Sequence, residues 1–226
     1  PAPVSFSTDS WKTIIKAVRS NNISKYSVGD TKTIDVGNYG SHTIRIANTT
    51  TPSACSTSGF SQSACGFVIE FVDSVTNGYM NGSMGVGTNT GGWPASKAYS
   101  LLNTNLYNAL PTDLQAGIIN TTVVSGHGSN DSSNFTSTDK LYLLSPKEIY
   151  IDFNITYDTA KDLTRTLDYY TNKGVTTNNY SGAIKKSGSS SVWWWLRTAS
   201  NNSSNSTTSF YCVYSGGNLV ITNAMN

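Results

Sequence analysis

Charge is what this sequence has least of. Asp, Glu, Lys and Arg together make up 12% of its 226 residues, about half the usual share. The net charge is only +2, and the basic residues are scattered, so nothing marks a nucleic-acid-binding surface. Histidine occurs twice, His42 and His127, with no neighbour at metal-ligand spacing. Three cysteines assemble no local zinc motif. No apolar run approaches the roughly 20 residues of a membrane span, so membrane attachment requires an anchor outside this chain. No glycine cluster has the strand–helix context of a phosphate loop. No catalytic signature stands out, and the expectation is a protein that is not an enzyme and carries no cofactor and no metal.

Abundant in their place are Ser, Thr, Asn, Gly and Tyr, a composition familiar from secreted and surface proteins of bacteria. The chain begins at Pro1 without an initiator Met, which suggests that an N-terminal segment has been removed. Cys55 and Cys65 bracket "CSTSGFSQSAC". A disulfide across that loop would contribute roughly 2–3 kcal/mol and imply an oxidising compartment; two free buried thiols are the alternative. Cys212 lies in the alternating run "SFYCVYS" and reads as a small residue of the core or surface.

Periodicity indicates one α+β domain. "STDSWKTIIKAVRSNN" places Trp11, Ile14, Ile15 and Val18 at helical spacing behind a choice of N-caps, Ser7, Thr8, Asp9 or Ser10. "TKTIDV", "GNYG" and "SHTIRIA" read as a hairpin, and the apolar "GFVIEFVD" as a mid-sheet strand. Residues 77–92 read as a plain glycine-rich surface loop. "WPASKAYSLLNTNLYNALP" reads as a helix with Pro94 in its first turn, followed by a helical turn at "TDLQAGI". "INTTVVSG" and "DKLYLLS" read as strands joined by "HGSNDSSNFTST". "SPKE" is a capping box, Ser145 with Glu148. Residues 157–174 read as a longer helix with Leu163 and Leu167 inward and Gly174 as its stop. The chain closes with strands "VWWWLR", "TSFYCVY" and "LVIT".

On a strand, Trp193 and Trp195 point one way and Trp194 and Leu196 the other. Covered on both faces, the three indoles form a buried structural anchor; a sugar-stacking platform is the weaker alternative, because consecutive rings cannot all face one ligand. Arg197, on the Trp193/Trp195 side, is expected to hold a carboxylate or backbone carbonyls.

"SWKTIIKAV", "YSVGDTKTI", "HTIRIA", "GGWPASKAYSLLNTNLYNALPTDLQ", "DKLYLLSPKEIY" and "WWWLRT" together resemble a family of surface domains of Gram-positive gut bacteria. That family is similar to C-type-lectin-fold proteins, and some relatives resemble the pilin-anchored variable proteins of diversity-generating retroelements. The resemblance implies a C-type-lectin-like fold over residues 1–226, with helices packed around a mixed, largely antiparallel sheet. It also implies a variable ligand-binding segment at 198–226. The family's further "G[VF][RA]PAF" strand is missing before the end at Asn226.

The function implied is a cell-surface or pilus-displayed, adhesin-like binding protein. Its expected partner is a surface protein or glycan of another cell or phage. Ser, Asn, Gly and Tyr suit such a segment, Tyr giving rigid contact area and the others adaptable hydrogen bonds. Asn201, Asn202, Asn205, Tyr211, Tyr214 and Asn218 are the candidate ligand contacts. Two alternatives stand beside this reading. One is a structural pilin-type subunit, for which an internal Lys–Asn crosslink is an option. The other is an enzyme on the same fold: His127 with Asp131 or Asp139 as a general base, or a carboxylate pair drawn from Glu70, Glu148 and Asp152. "SNDSSNFTSTD" is rich in oxygen donors but lacks a calcium-loop pattern.

Overall fold

A computed structural model describes residues 1–83, 86–154, 162–202 and 207–225. The helix α1 (Trp11–Arg19) opens the fold. Ser10 is its N-cap, with Oγ accepting from the Thr13 N–H, so the first turn's orphan donor is met. Trp11, Ile14 and Ala17 face inward onto the hairpin of β1 (Thr31–Asp35) and β2 (Ser41–Asn48). Its register runs from Thr31 opposite Arg45 to Asp35 opposite Ser41. The strand β3 (Val68–Phe71) pairs with β2. In the order β1-β2-β3 it is an edge strand and not the expected centre. Its far side is instead approached by the hairpin β8 (Lys185–Ser187) and β9 (Ser190–Val192), through Ser74 N–H to the Lys186 carbonyl at 2.9 Å.

Several other elements differ from the expectations set by periodicity. Residues 77–92 are no plain surface loop: they fold back as β4 (Gly82–Ser83) and β5 (Val86–Gly87) and bury Met80 and Asn89 completely. The helical segment from Trp93 to Ala109 comprises a 3-10 turn (Trp93–Ala95), α2 (Lys97–Ser100), a π-helical stretch (Leu101–Leu106) and α3 (Tyr107–Ala109). A short α4 (Thr112–Gln115) follows. The partner of β6 (Thr121–Ser125) is β7 (Phe135–Asp139), not "DKLYLLS". Residues 140–145 serve instead as a bonding ledge, with the Leu144 carbonyl accepting from the Arg197 N–H.

The capping box starts α5 (Pro146–Ile149), where Glu148 Oε1 accepts from the Ser145 N–H at 3.2 Å. Of the helix expected over 157–174, residues 157–161 lie outside the described residues. The remainder is helical only in α6 (Asp168–Asn172). Before it, the Leu163 carbonyl accepts from the Ser61 N–H, and the Leu167 N–H donates to Glu148. The backbone thus spends its bonds on neighbours rather than on itself. Leu167 is buried as expected, whereas Leu163 is exposed. Gly174 does stop α6, at φ +64°.

The chain ends in an antiparallel meander, β10 (Trp194–Ala199), β11 (Ser209–Val213) and β12 (Leu219–Asn223). In place of one mixed sheet ringed by helices, the described residues of the α+β fold form five small sheets, and every described pairing is antiparallel. Three apolar cores fill it. Leu102 packs against both the core beneath α1 and the one around Trp93, and Tyr142 joins the latter to the core around Leu196. Cys55 and Cys65 form a disulfide. No helix among the described residues is long and apolar enough to cross a membrane.

Candidate functional site

The terminal meander is anchored by a buried ion pair rather than by indoles. Between Trp195 and Ala199 the β10–β11 register shifts, and this bulge turns β10 away from β11 toward other strands. The Arg197 N–H then donates to Leu144 and the Ala199 N–H to Gly126. The Arg197 side chain, fully buried, meets Glu148, also fully buried. Its Nη1 and Nη2 lie 2.6 and 2.7 Å from the two carboxylate oxygens. Its remaining protons go to the Val124 and Leu143 carbonyls and to Ser63 Oγ. Glu148 Oε2 also accepts from Ser63 and Thr164. Every strong donor and acceptor of the pair is therefore occupied, the condition under which a buried bidentate pair is tolerated.

The indoles are only partly enclosed. Trp193 is 37% exposed, while Trp194 and Trp195 are half-buried. The expectation of a fully covered anchor is corrected: Leu196 is fully buried, while Trp193 leaves over a third of its surface open beside the Trp195 ring. Trp194 Nε1 donates to Ala183, and Lys185 lies 4.8 Å over its ring. Trp195 Nε1 donates to the Gly78 carbonyl at 3.1 Å. The Trp193 and Trp195 rings pack edge to face with centroids 5.0 Å apart.

The candidate contact residues separate in the same way. Tyr211 is buried, 5.7 Å from the Phe153 ring, so it is a core residue and not a ligand contact. It lies on the central strand, all five of whose residues are buried. Tyr214, just beyond that strand, is 53% exposed. Asn218 is half-buried, and its carbonyl accepts from the Tyr214 N–H at 2.8 Å. Asn201 and Asn202 follow β10 and are half-buried. The chain around them is clamped by Asn89, whose Nδ2 donates to the Ser200 and Ser209 carbonyls. Asn205 lies outside the described residues.

Continuing the Trp194–Val213 and Val213–Leu219 pairs by one step sets Trp193 beside Tyr214 and Tyr214 beside Asn218 on one face. The segments that build it carry little charge. From Ser187 to Asn226 the only charged residue is Arg197, and from Ser74 to Ser96 there is none. Composition alone hides this, because the low total conceals how unevenly the charges are spread.

The residues of the enzyme readings are each engaged in structural hydrogen-bond networks. Glu70 accepts from Arg45 Nε, Tyr170 and Lys185. Burial alone would raise its pKa, but Lys185 and Arg45 outweigh burial and hold the carboxyl below its ordinary value. Lys185 also donates to the Phe71 and Val72 carbonyls, so it is committed to these acceptors rather than to an amide with an asparagine. Asp152 binds Thr177, and Glu148 belongs to Arg197. His42 donates to the Tyr39 carbonyl. His127, expected in a surface loop, is buried against the Gly128 carbonyl. Asp139 accepts from Trp93 Nε1, and Asp131 from the Gly91 N–H. Among the described residues no group of three or more His, Cys, Asp or Glu is placed to hold a metal ion. Cys212 is buried, and burial pushes its thiol up to about 12. A shallow depression of about 380 Å³ lined by Gly37, Asn38, Thr104, Asn105, Asn108 and Ala109 carries no titratable side chain.

One carboxylate beside the ion pair is strained electrostatically. The Asp162 carboxylate is enclosed; its Oδ1 accepts from Thr198 at 2.9 Å, and the Lys147 backbone also favours its charged form. Burial pushes the Asp162 carboxyl up to about 6, opposed by the Arg197 charge and the Thr198 hydroxyl and reinforced by Glu148. A folded pKa above the unfolded one means that the protonated form favours folding. That stability is complete below about pH 4 and is lost as the pH rises through 6. Asp162→Asn keeps an oxygen for Thr198 and removes the charge. It is expected to raise stability by about 2–3 kcal/mol at pH 7.5 and to change little at pH 4. Urea denaturation at both pH values measures this, and equal effects at the two would contradict it.

Together these features describe an α+β domain that leaves two aromatic rings, Trp193 and Tyr214, exposed at one end of its terminal sheet. Residues 74–226 match a family described as a domain of unknown function, DUF6273, and the chain belongs to that family. The match spans the core around Trp93, most of the core around Leu196 and the whole terminal meander. No curated protein and no solved structure matches the chain.

Proposed function

We propose that this domain is an extracellular binding module, displayed on a cell surface or pilus, whose contact face is the open end of the β10–β12 sheet. The observation that carries it is the pair of exposed rings, Trp193 and Tyr214, each one residue beyond the paired ends of the neighbouring strands β10 and β11. Large aromatics left in water on a scaffold able to bury them are a feature of contact surfaces. The Cys55–Cys65 disulfide supports an oxidising, extracellular setting. In this reading Trp193, Tyr214 and Asn218 make contacts from the sheet, and Asn201 and Asn202 from the strand end. The buried Tyr211 makes none.

The C-type-lectin-like arrangement and the retroelement-variable character are the finer parts of the proposal. The α+β content and the small antiparallel sheets support the first. For the second, the support is a charge-free Ser/Asn/Tyr segment following a firmly anchored Arg197. Diversification would then fall at Asn201, Asn202, Tyr214 and Asn218, sparing β11. Labelled domain applied to intact bacterial and epithelial cells tests the binding reading. Trp193→Ala with Tyr214→Ala is expected to lower binding at least tenfold, a loss of about 1.4 kcal/mol or more, with thermal unfolding unchanged. Retained binding in that variant would place the contact face elsewhere.

A further inference from the structure

We infer that the ligand of this face is an uncharged glycan, stacked on Trp193 and running across the sheet toward Asn218. The inference rests on the binding reading above and adds the chemistry of the ligand.

Three observations carry it. The first is the absence of charge: apart from Arg197, which is fully buried against Glu148, no charged residue occurs from Ser187 to Asn226 or from Ser74 to Ser96. Those segments supply β9, β10, β11 and β12 together with the Gly78 stretch that meets Trp195. Within those segments a phosphate, sulfate, sialic acid or acidic peptide would find no free cation, and a basic peptide no carboxylate; charge enters from the neighbouring strand β8, where exposed Lys186 lies opposite Ser191. Charged ligands are recognised by paired charge and by bidentate Arg contacts, and here the one arginine is already spent inside.

The second observation is that Trp193 is held before any ligand arrives. Trp195, fixed by its Nε1 bond to the Gly78 carbonyl, braces Trp193 edge to face at 5.0 Å. An exposed ring so supported loses little rotamer freedom when a ligand covers it. A flat indole offers apolar area to the C–H face of a sugar ring while the sugar hydroxyls remain in water or meet polar neighbours. Consecutive indoles need not share one ligand for this, because Trp194 points to the opposite face and is engaged with Ala183 and Lys185.

The third is the row Trp193, Tyr214, Asn218 that results when the register of β10, β11 and β12 is continued one step past its last pairs. At about 4.8 Å per strand it extends about 10 Å, the reach of a disaccharide. Stacking area lies at one end and an amide, with both donor and acceptor capacity, at the other. A row this narrow is small for a protein partner, whose stable contact needs roughly 800 Å² from each side.

A printed array of neutral, sialylated and sulfated glycans, together with deglycosylated recombinant surface proteins, tests the inference. The expected result is strongest binding to neutral glycans. Trp193→Ala should lower it at least tenfold and Trp193→Phe should restore part of it, with all variants unfolding at the same temperature. Strongest signal on the anionic glycans or on the deglycosylated proteins, if lost in Trp193→Ala, would overturn the glycan inference and leave the contact face standing. Signal that Trp193→Ala and Tyr214→Ala leave unmoved would overturn both, as would an array on which the domain binds nothing.

Discussion

Glu148→Ala is expected to destabilise the domain by about 3–5 kcal/mol, enough to unfold much of it at 37 °C if its total stability is ordinary. The reason is what remains behind. Arg197 is fully buried, its charge cannot be shed at any accessible pH, and its two Nη atoms lose the carboxylate they share. Ser63 and Thr164 lose an acceptor in the same step. Arg197→Met alone strands Glu148 in turn. The double variant Arg197→Met/Glu148→Leu removes both charges and refills the space, and is expected to lie within about 2 kcal/mol of wild type. Denaturant midpoints of the two singles and the double close the cycle. A single variant that falls by less than 1 kcal/mol would show that water reaches the pair.

This ion pair shows where the sequence was legible. The role of Arg197 followed from its residue type and its place inside an apolar strand, and Glu148 stood out as half of a capping box. What could not be read was that the two meet, because 49 positions separate them and the β10 bulge that aims Arg197 has no local signature. Local signals served well where the element is closed locally, as in α1 with Ser10 or the β1–β2 hairpin around Gly37–Gly40. They failed where tertiary bonds displaced local ones. Thr164 and Leu167 were assigned to a helix, yet their chain is drawn out by Glu148 and Ser61. "DKLYLLS" has strand composition, but β6 takes the more polar Phe135–Asp139 as its partner, a choice that the Trp93–Asp139 bond favours. In the candidate site, alternation correctly set Trp193 and Trp195 on one face. It could not show that cover from Gly78 and the core around Trp93 reaches Trp195 but leaves Trp193 37% exposed, nor that Tyr211 is buried while Tyr214, three residues along, is open. Burial in a small sheet depends on which other sheets pack against it, and that lies outside any strand's own pattern.

Gly217→Ala carries the second large expectation, because there stability and binding change together. Gly217 sits in the β11–β12 turn at φ +94°, where an L side chain is strained. A Cβ at this position would lie 2.2 Å from the Tyr180 carbonyl oxygen and 3.0 Å from its carbon. That backbone cannot yield as a flexible side chain would, so the turn itself must move. Moving it breaks the bond that the buried Tyr150 hydroxyl donates to the Gly217 carbonyl at 2.5 Å. Strain and the lost bond together are expected to cost about 2–4 kcal/mol. The adjacent Gly216→Ala is the internal control: its φ is not in the left-handed region, and its Cβ meets only the Asn218 side chain, at 3.3 Å. Its stability should stay within about 0.5 kcal/mol of wild type. Because Tyr214 and Asn218 close the same turn through their 2.8 Å backbone bond, folded Gly217→Ala protein should also bind more weakly than Gly216→Ala when both are compared well below their unfolding temperatures. If Gly217→Ala destabilised the domain yet bound as well as wild type, the position of the turn would have no part in recognition, and the contact face would have to be drawn around Trp193 alone.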